Sequence, residues 1–293
     1  MLLTMLAYRH AFHAGNHADI LKQLALFLGL RQLGKKEKGF LHVDTHAGAG
    51  SYLLDEGYAA QNREWENGIA RVRAAAATGS RGSVPEPILE YLELLAAIEP
   101  PGSHGFFPGT PVLASYLLRP QDRAVCCELH PTDYQLLAER FAGDKQVQVR
   151  KEDGFSALKS LLPPPTRRGL VFIDPSYELG QDYDLVIKTL VQAHKRFPTG
   201  SYVVWYPLLE REEALELPGK LRSGCDAPWL DLELRVRGNL PGERGMSGSG
   251  LFVLNPPYTL EDGMRTSLPW LVDVLGLDGG AKAETRTSAD ASA

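Results

Sequence analysis

Apolar residues recur at helical spacing over Ile20, Leu21, Leu24, Phe27, Leu28 and Leu33, and Gly34 supplies a stop. A solvated run, 35–38, leads into a short apolar strand at 40–44, which ends in the loop Asp44-Thr45-His46-Ala47-Gly48-Ala49-Gly50. A stretch rich in Ala, Arg and Pro then reads as helix and loop until the next clear strand, 124–128. From there the rhythm is regular. A helix runs from Pro131 to near Gly143, followed by a strand at 147–149 and a short helix at 155–162. The strand 170–174, a helix at 183–197 and the strand 202–206 complete it. Strands alternating with helices predict an α/β fold with a mostly parallel sheet and right-handed crossovers. The end differs: 232–236 and 251–254 are strand-like, and the Gly/Pro-rich segment between them holds no helix, which predicts an antiparallel hairpin. Residues 1–276 therefore read as one domain with a helical insertion at about 54–106, and 277–293 as a floppy tail.

Composition narrows the class. Among 293 residues, 44% are hydrophobic and 23% charged, ordinary values for a globular chain that needs neither disulfides nor metal for stability. The three cysteines form no C-x-x-C, which suits a reducing, cytoplasmic setting. No apolar run is long enough to span a membrane, and the apolar start is too short for a secretory signal. The net charge of −5 does not advertise nucleic-acid binding, although a basic face can sit on an acidic body.

The glycine loop is the first chemical signal. Glycines where a strand turns into a helix let backbone N–H groups approach a ligand closely. The dinucleotide fingerprint lacks its third glycine, since Leu53 stands there, and no G-x-x-x-x-G-K-[ST] occurs. A D-x-x-x-G-x-G loop is what S-adenosylmethionine (SAM) methyltransferases of this fold class use, and a plain tight turn is the competing reading. Glu128 closes the second strand of the α/β rhythm, 78 residues past Gly50, where a ribose-binding carboxylate belongs about 20 residues on; the excess matches the insertion. Asp153-Gly154 ends the third strand. Three acidic strand ends in order, Asp44, Glu128 and Asp153, point to one crevice at the carboxyl edge of the sheet.

Methyl transfer to an exocyclic amine needs acceptors for the amine hydrogens and a flat platform for the base, supplied by the pattern [DNS]-P-P-[YFW]. Asn255-Pro256-Pro257-Tyr258 matches it fully, whereas Asp174-Pro175-Ser176-Tyr177 has Ser for the second Pro. Order along the chain favours the second, because Asp174 ends the fourth strand beside the glycine loop. Asp174, Pro175 and Tyr177 are therefore the catalytic candidates, with Tyr177 as the platform. His10, His13 and His17 lie 3 and 4 apart, but Gly15 interrupts the helix they would share and no fourth ligand accompanies them, so no metal is expected. Arg167-Arg168, Lys195-Arg196 and Arg235-Val236-Arg237 read as solvated faces that could hold phosphates if they lined the crevice rim.

Several segments look like one family: Tyr8-Arg9-His10 through Lys22, the glycine loop, residues 107–111, 128–131 and 153–155, Arg167-Arg168-Gly169 and Trp205-Tyr206-Pro207. The chain resembles the bacterial 23S ribosomal RNA adenine-2030 N6-methyltransferases, the large-subunit methyltransferase J family, from Met5 to about Leu275. The resemblance implies a Rossmann-like methyltransferase with a seven-stranded sheet. It also implies SAM as cofactor and methylation of one adenine of 23S rRNA, an RNA-binding activity in rRNA processing carried out by a cytoplasmic monomer. It further implies cofactor contacts from Gln23, His46, Gly48, Thr110, Glu128, Asp153, Gly154 and Asp174, with Asp174 as catalytic acceptor. Tyr8, Arg9, His10 and Lys22 would face the RNA. Two residues depart from the family pattern: Gln23 stands where it commonly has His, and Ser176 where it has Pro. The same chemistry on DNA adenine or a protein glutamine amide, or a non-catalytic assembly factor, are the alternatives.

Overall fold

A computed structural model describes residues 9–103, 105–238 and 245–290. Its main sheet has eight strands. Five are parallel neighbours: β5 (Val147–Arg150), β4 (Arg123–Cys127), β1 (Leu41–Asp44), β6 (Gly169–Ile173) and β7 (Ser201–Leu208). β9 (Gly248–Leu254) pairs antiparallel with β7 and with β8 (Trp229–Arg235), so the expected hairpin is inserted with its second strand innermost. The eighth strand, β10 (Lys282–Thr287), pairs antiparallel with β8, Lys282 opposite Arg235 and Thr287 opposite Leu230. This corrects the expectation of a floppy tail over that stretch. The apolar content there is low because an edge strand has one covered flank, and charged side chains suit the other.

β6 and β7 are buried along their whole length, as strands covered on both faces must be. Helix α1 (His17–Gly34) is likewise buried on every side from Ala18 to Leu30. Its sequence reads as one apolar stripe, yet helices pack around it: α5 (Thr110–Tyr116), α4 (Glu86–Ile98) and α10 (Leu260–Leu275). Its entry is fixed by Asn16, whose side chain accepts the N–H groups of Ala18 and Asp19 at 2.9 and 3.1 Å. A two-stranded ribbon, β2 (Ser51–Leu53) and β3 (Phe106–Pro108), brackets a helical stretch holding α2 (Ala59–Asn62), α3 (Ile69–Thr78) and α4. The crossovers after β4, β5, β6 and β7 carry α6 (Pro131–Arg140), α7 (Gly154–Leu161), α8 (Gly180–Arg196) and α9 (Glu212–Gly224).

The chain leaves β1 toward β4 and β5 on one side and returns to β6 on the other. The strand order reverses between β1 and β6, and a crevice opens there at the carboxyl ends of the strands.

Candidate active site

That crevice is a cavity of about 370 Å³, a size suited to a small-molecule ligand. Its wall includes the expected residues His10, Lys22, Gln23, His46, Gly48, Thr110, Glu128, Asp153, Gly154, Asp174 and Pro175. They arrive from the loops after β1, β4, β5 and β6, from the 3-10 turn at His10–Phe12, from α1 and from the start of α5.

The floor is built from backbone that only glycine permits. Gly48 has φ +64°, and a Cβ there would stand 2.6 Å from the Tyr52 hydroxyl oxygen. Its N–H donates to Glu128 Oε2 at 2.8 Å, while the His130 N–H donates to Oε1 at 2.6 Å. The carboxylate that closes β4 is thus aimed across the glycine turn, and burial raises its pKa. At Gly154 a Cβ would meet the Thr45 carbonyl oxygen at 2.0 Å, so α7 starts in direct contact with the loop after β1. Asp153 caps that helix, accepting the N–H groups of Phe155 and Ser156, both at 3.2 Å.

Asp44 lies beneath this floor, fully buried, where it accepts the Thr110 hydroxyl at 2.6 Å and the His46 N–H at 3.2 Å. Burial pushes its pKa up to about 7; the Thr110 bond opposes the rise and the neighbouring Asp174 adds to it. His46, edge-on to Phe155 at 4.8 Å, is lowered to about 4 by burial and is neutral at pH 7.

Asp174 stands at the opposite wall. Its Oδ2 lies 2.8 Å from Lys22 Nζ, which also reaches Asp19 at 3.1 Å. His10 Nε2 is 2.9 Å from both oxygens of Asp19. Burial would raise the Asp19 pKa, but His10 and Lys22 hold it well below the carboxylate range. Sequence reasoning missed Asp19 as the hub of this chain. Its signal was the spacing of three between Asp19 and Lys22, which places both on one helical face. Gln23, fully buried, donates from Nε2 to the Pro108 carbonyl at 2.7 Å and accepts the Tyr91 hydroxyl on Oε1 at 2.8 Å.

Two expected residues fall elsewhere. Tyr177 is not a platform on the cavity wall. Its backbone has φ +53°, its ring is buried beside Tyr183 (4.7 Å) and Trp205 (5.8 Å), and its hydroxyl donates to the Trp205 carbonyl at 2.7 Å. Arg9 lies outside the cavity, its guanidinium 5.0 Å from the Tyr58 ring centroid and its Nη2 3.4 Å from the Thr132 hydroxyl. Tyr8 lies outside the described residues. The three histidines go to different partners: His10 to Asp19, His13 to Glu64 at 2.9 Å, while His17, lowered to about 4 by burial, heads α1. Asn255 follows the far end of β9, beside the first residues of β7, and so lies at the opposite edge of the sheet. There its Nδ2 donates to the carbonyls of Pro198 and Gly200 at 2.8 and 2.9 Å.

Residues 37–287 match the model of a family described as ribosomal RNA large subunit methyltransferase D, RlmJ. The chain belongs to this family. The ribosomal RNA large subunit methyltransferase J of Haemophilus influenzae is 43% identical over 276 residues, covering 94% of this chain and 96% of that one. The Escherichia coli protein of the same name is 42% identical over 269 residues, 91% and 93% of the two chains. A crystal structure of a Legionella pneumophila protein superposes with a TM-score of 0.83 at 34% identity, covering 94% of this chain and 98% of the other.

Proposed function

We propose that this protein transfers a methyl group from S-adenosylmethionine to the exocyclic N6 amine of one adenine in 23S ribosomal RNA. The observation that carries the reading is the placement of Asp174 at the strand-order reversal, in one cavity with the Gly48 turn and Glu128. The cavity fits the cofactor. The bare Gly48 and Gly154 backbones leave room, the half-buried Glu128 carboxylate suits ribose hydroxyls, and neutral His46 adds an uncharged polar edge. When bound, the cofactor supplies an electrophilic methyl group on a sulfonium.

The chain's own residues then act on the amine. The Asp174 carboxylate and the Pro175 carbonyl accept its two hydrogens, which draws the nitrogen lone pair out of ring conjugation. Lys22 at 2.8 Å fixes which Asp174 oxygen remains available, and Asp19 fixes Lys22. The Tyr177 hydroxyl, held on Trp205, anchors the turn from inside the core. Asp174 accepts or relays the proton released as the methyl arrives. Alignment of amine, methyl and sulfur supplies much of the acceleration.

The protein acts as a cytoplasmic monomer in this reading; among the described residues no helix is long and apolar enough to cross a membrane. The test is labelled SAM with deproteinised 23S RNA, duplex DNA or a release factor, followed by mapping of the methylated base. Label confined to one adenine N6 of the RNA is the expected result. Label in either other polymer, or RNA retention without label, would overturn it.

A further inference from the structure

The cavity is lined by eight Asp and Glu side chains and a single Lys or Arg, Lys22, which is already bound to Asp174 and Asp19. Such an edge repels a phosphate backbone, and long RNA is held chiefly by cations that neutralise phosphates. Beyond Lys151 in the loop after β5 and Arg9 beside Thr132, the cations for a long RNA must stand elsewhere. On much of the surface they are paired: Arg63 with Glu66, Arg150 with Glu152, Arg211 with Glu213, Lys220 with Glu216 and Arg265 with Glu261.

The opposite edge of the sheet differs. Lys35, Lys36 and Lys38 before β1, Arg123 at the start of β4 and Arg167 in the loop before β6 are all exposed, and among the described residues none has a carboxylate partner. They sit together because two half-buried arginines pull the loops into one platform. Arg119 donates to the carbonyls of Gly34 and Lys36 at 2.6 and 2.7 Å, and Arg168 donates to those of Leu33 (2.8 Å) and Lys38. The fully buried Asp122 is spent on Arg119, which leaves Glu37, and Asp144 in the adjoining loop before β5, as exposed acids of this edge. The two guanidiniums are also close enough that Arg119, after burial, lowers the Arg168 pKa. Helix dipoles favour cations just past α1, but not at residues 38, 123 or 167, which follow no helix directly.

We propose that this edge is a second RNA-binding surface, which takes the phosphate backbone of a segment remote from the target adenine. The inference rests on the function proposed above. Strands of four or five residues separate the two edges by about 15 Å of backbone, with further loop on each side. A short stem seated in the crevice therefore does not reach the platform, whereas a long folded RNA can.

The experiment compares wild-type protein with the triple variant Lys36→Gln, Lys38→Gln, Arg167→Gln on full-length 23S RNA and on a short hairpin bearing the target adenine. Expected is a roughly tenfold rise in KM for the long RNA, and a salt slope of binding smaller by about two. KM for the hairpin, kcat, SAM affinity and the unfolding midpoint should stay at wild-type values. An unchanged KM on both RNAs overturns the proposal, and so does an equal rise on both. A defect seen only on precursor particles also overturns it, since an acidic protein would then be the partner. If the wild type methylates neither RNA, the proposed function fails, and filter retention of the long RNA by the two proteins still tests the surface.

Discussion

Two tetrapeptides of nearly the same spelling sit at opposite edges of one sheet. Asp174-Pro175-Ser176-Tyr177 follows a parallel strand and meets the glycine turn, with Asp174 bound to Lys22 and Tyr177 buried. Asn255-Pro256-Pro257-Tyr258 follows an antiparallel strand and emerges at the other edge, where Tyr258 is 86% exposed. Both open with a rigid turn, and both place a residue in the left-handed region, Tyr177 at φ +53° and Asn255 at φ +51°. The better match to the pattern holds a surface turn. Strand direction, not spelling, decides which of them reaches the crevice.

The contrast can be broken most decisively at Asp174. Asp174→Ala should lower kcat for RNA methylation by about 10²- to 10⁴-fold, the range for loss of a positioned acid–base group, while SAM binding stays measurable by calorimetry. Near-normal turnover would remove Asp174 from the reaction. On the other tetrapeptide, Asn255→Ala should leave turnover on the short hairpin unchanged yet reduce unfolding stability by about 2 kcal/mol. Two carbonyls lose their donor, and a left-handed backbone loses a residue that tolerates it. Urea unfolding and the methylation assay on the same preparation would check both halves.

The two tyrosines give a smaller difference. Tyr177→Phe removes the donor to the buried Trp205 carbonyl and should reduce stability by about 1–2 kcal/mol, whereas Tyr258→Phe should change it by less than about 0.5 kcal/mol. Equal losses would erase the distinction between core and surface. A pH series sharpens the Asp174 side. Burial raises the pKa of the neighbouring Asp44 to about 7, so the folded state binds a proton that the unfolded state releases near pH 4. Its contribution is full below about pH 4 and is lost as pH rises through about 7. Asp44→Asn should abolish that component, so the stability difference between variant and wild type should drift in favour of the variant from pH 4 to 7. His17, His42 and His46, all lowered to about 4 by burial, act in the opposite sense in both proteins and cancel in the difference.

Local patterning carried the parallel strands and their helices, because fully buried strands such as β6 read as continuous apolar runs bounded by turns. It also carried the Asp44, Glu128 and Asp153 series, since strand ends in an alternating fold share one edge. What it could not carry was set by neighbours distant in sequence. The all-round burial of α1 depends on helices contributed from residues 86–98, 110–116 and 260–275. The inward ring of Tyr177 depends on Trp205 and Tyr183. Arg167-Arg168 and Lys195-Arg196 read equally well at either edge until the strand directions are fixed, and they lie away from the crevice. β10 escaped because alternating charge with few apolar residues is what both an exposed edge strand and a frayed terminus look like.

That last strand has a consequence in time. A nascent chain has already made every residue that lines the crevice when Lys282–Thr287 leaves the ribosome. Until then β8 offers its open flank to any passing strand, and Glu233 lacks the Arg286 that meets it at 3.1 Å. A chain that stops before Lys282 would thus keep every crevice residue yet carry an open strand edge, which favours self-association.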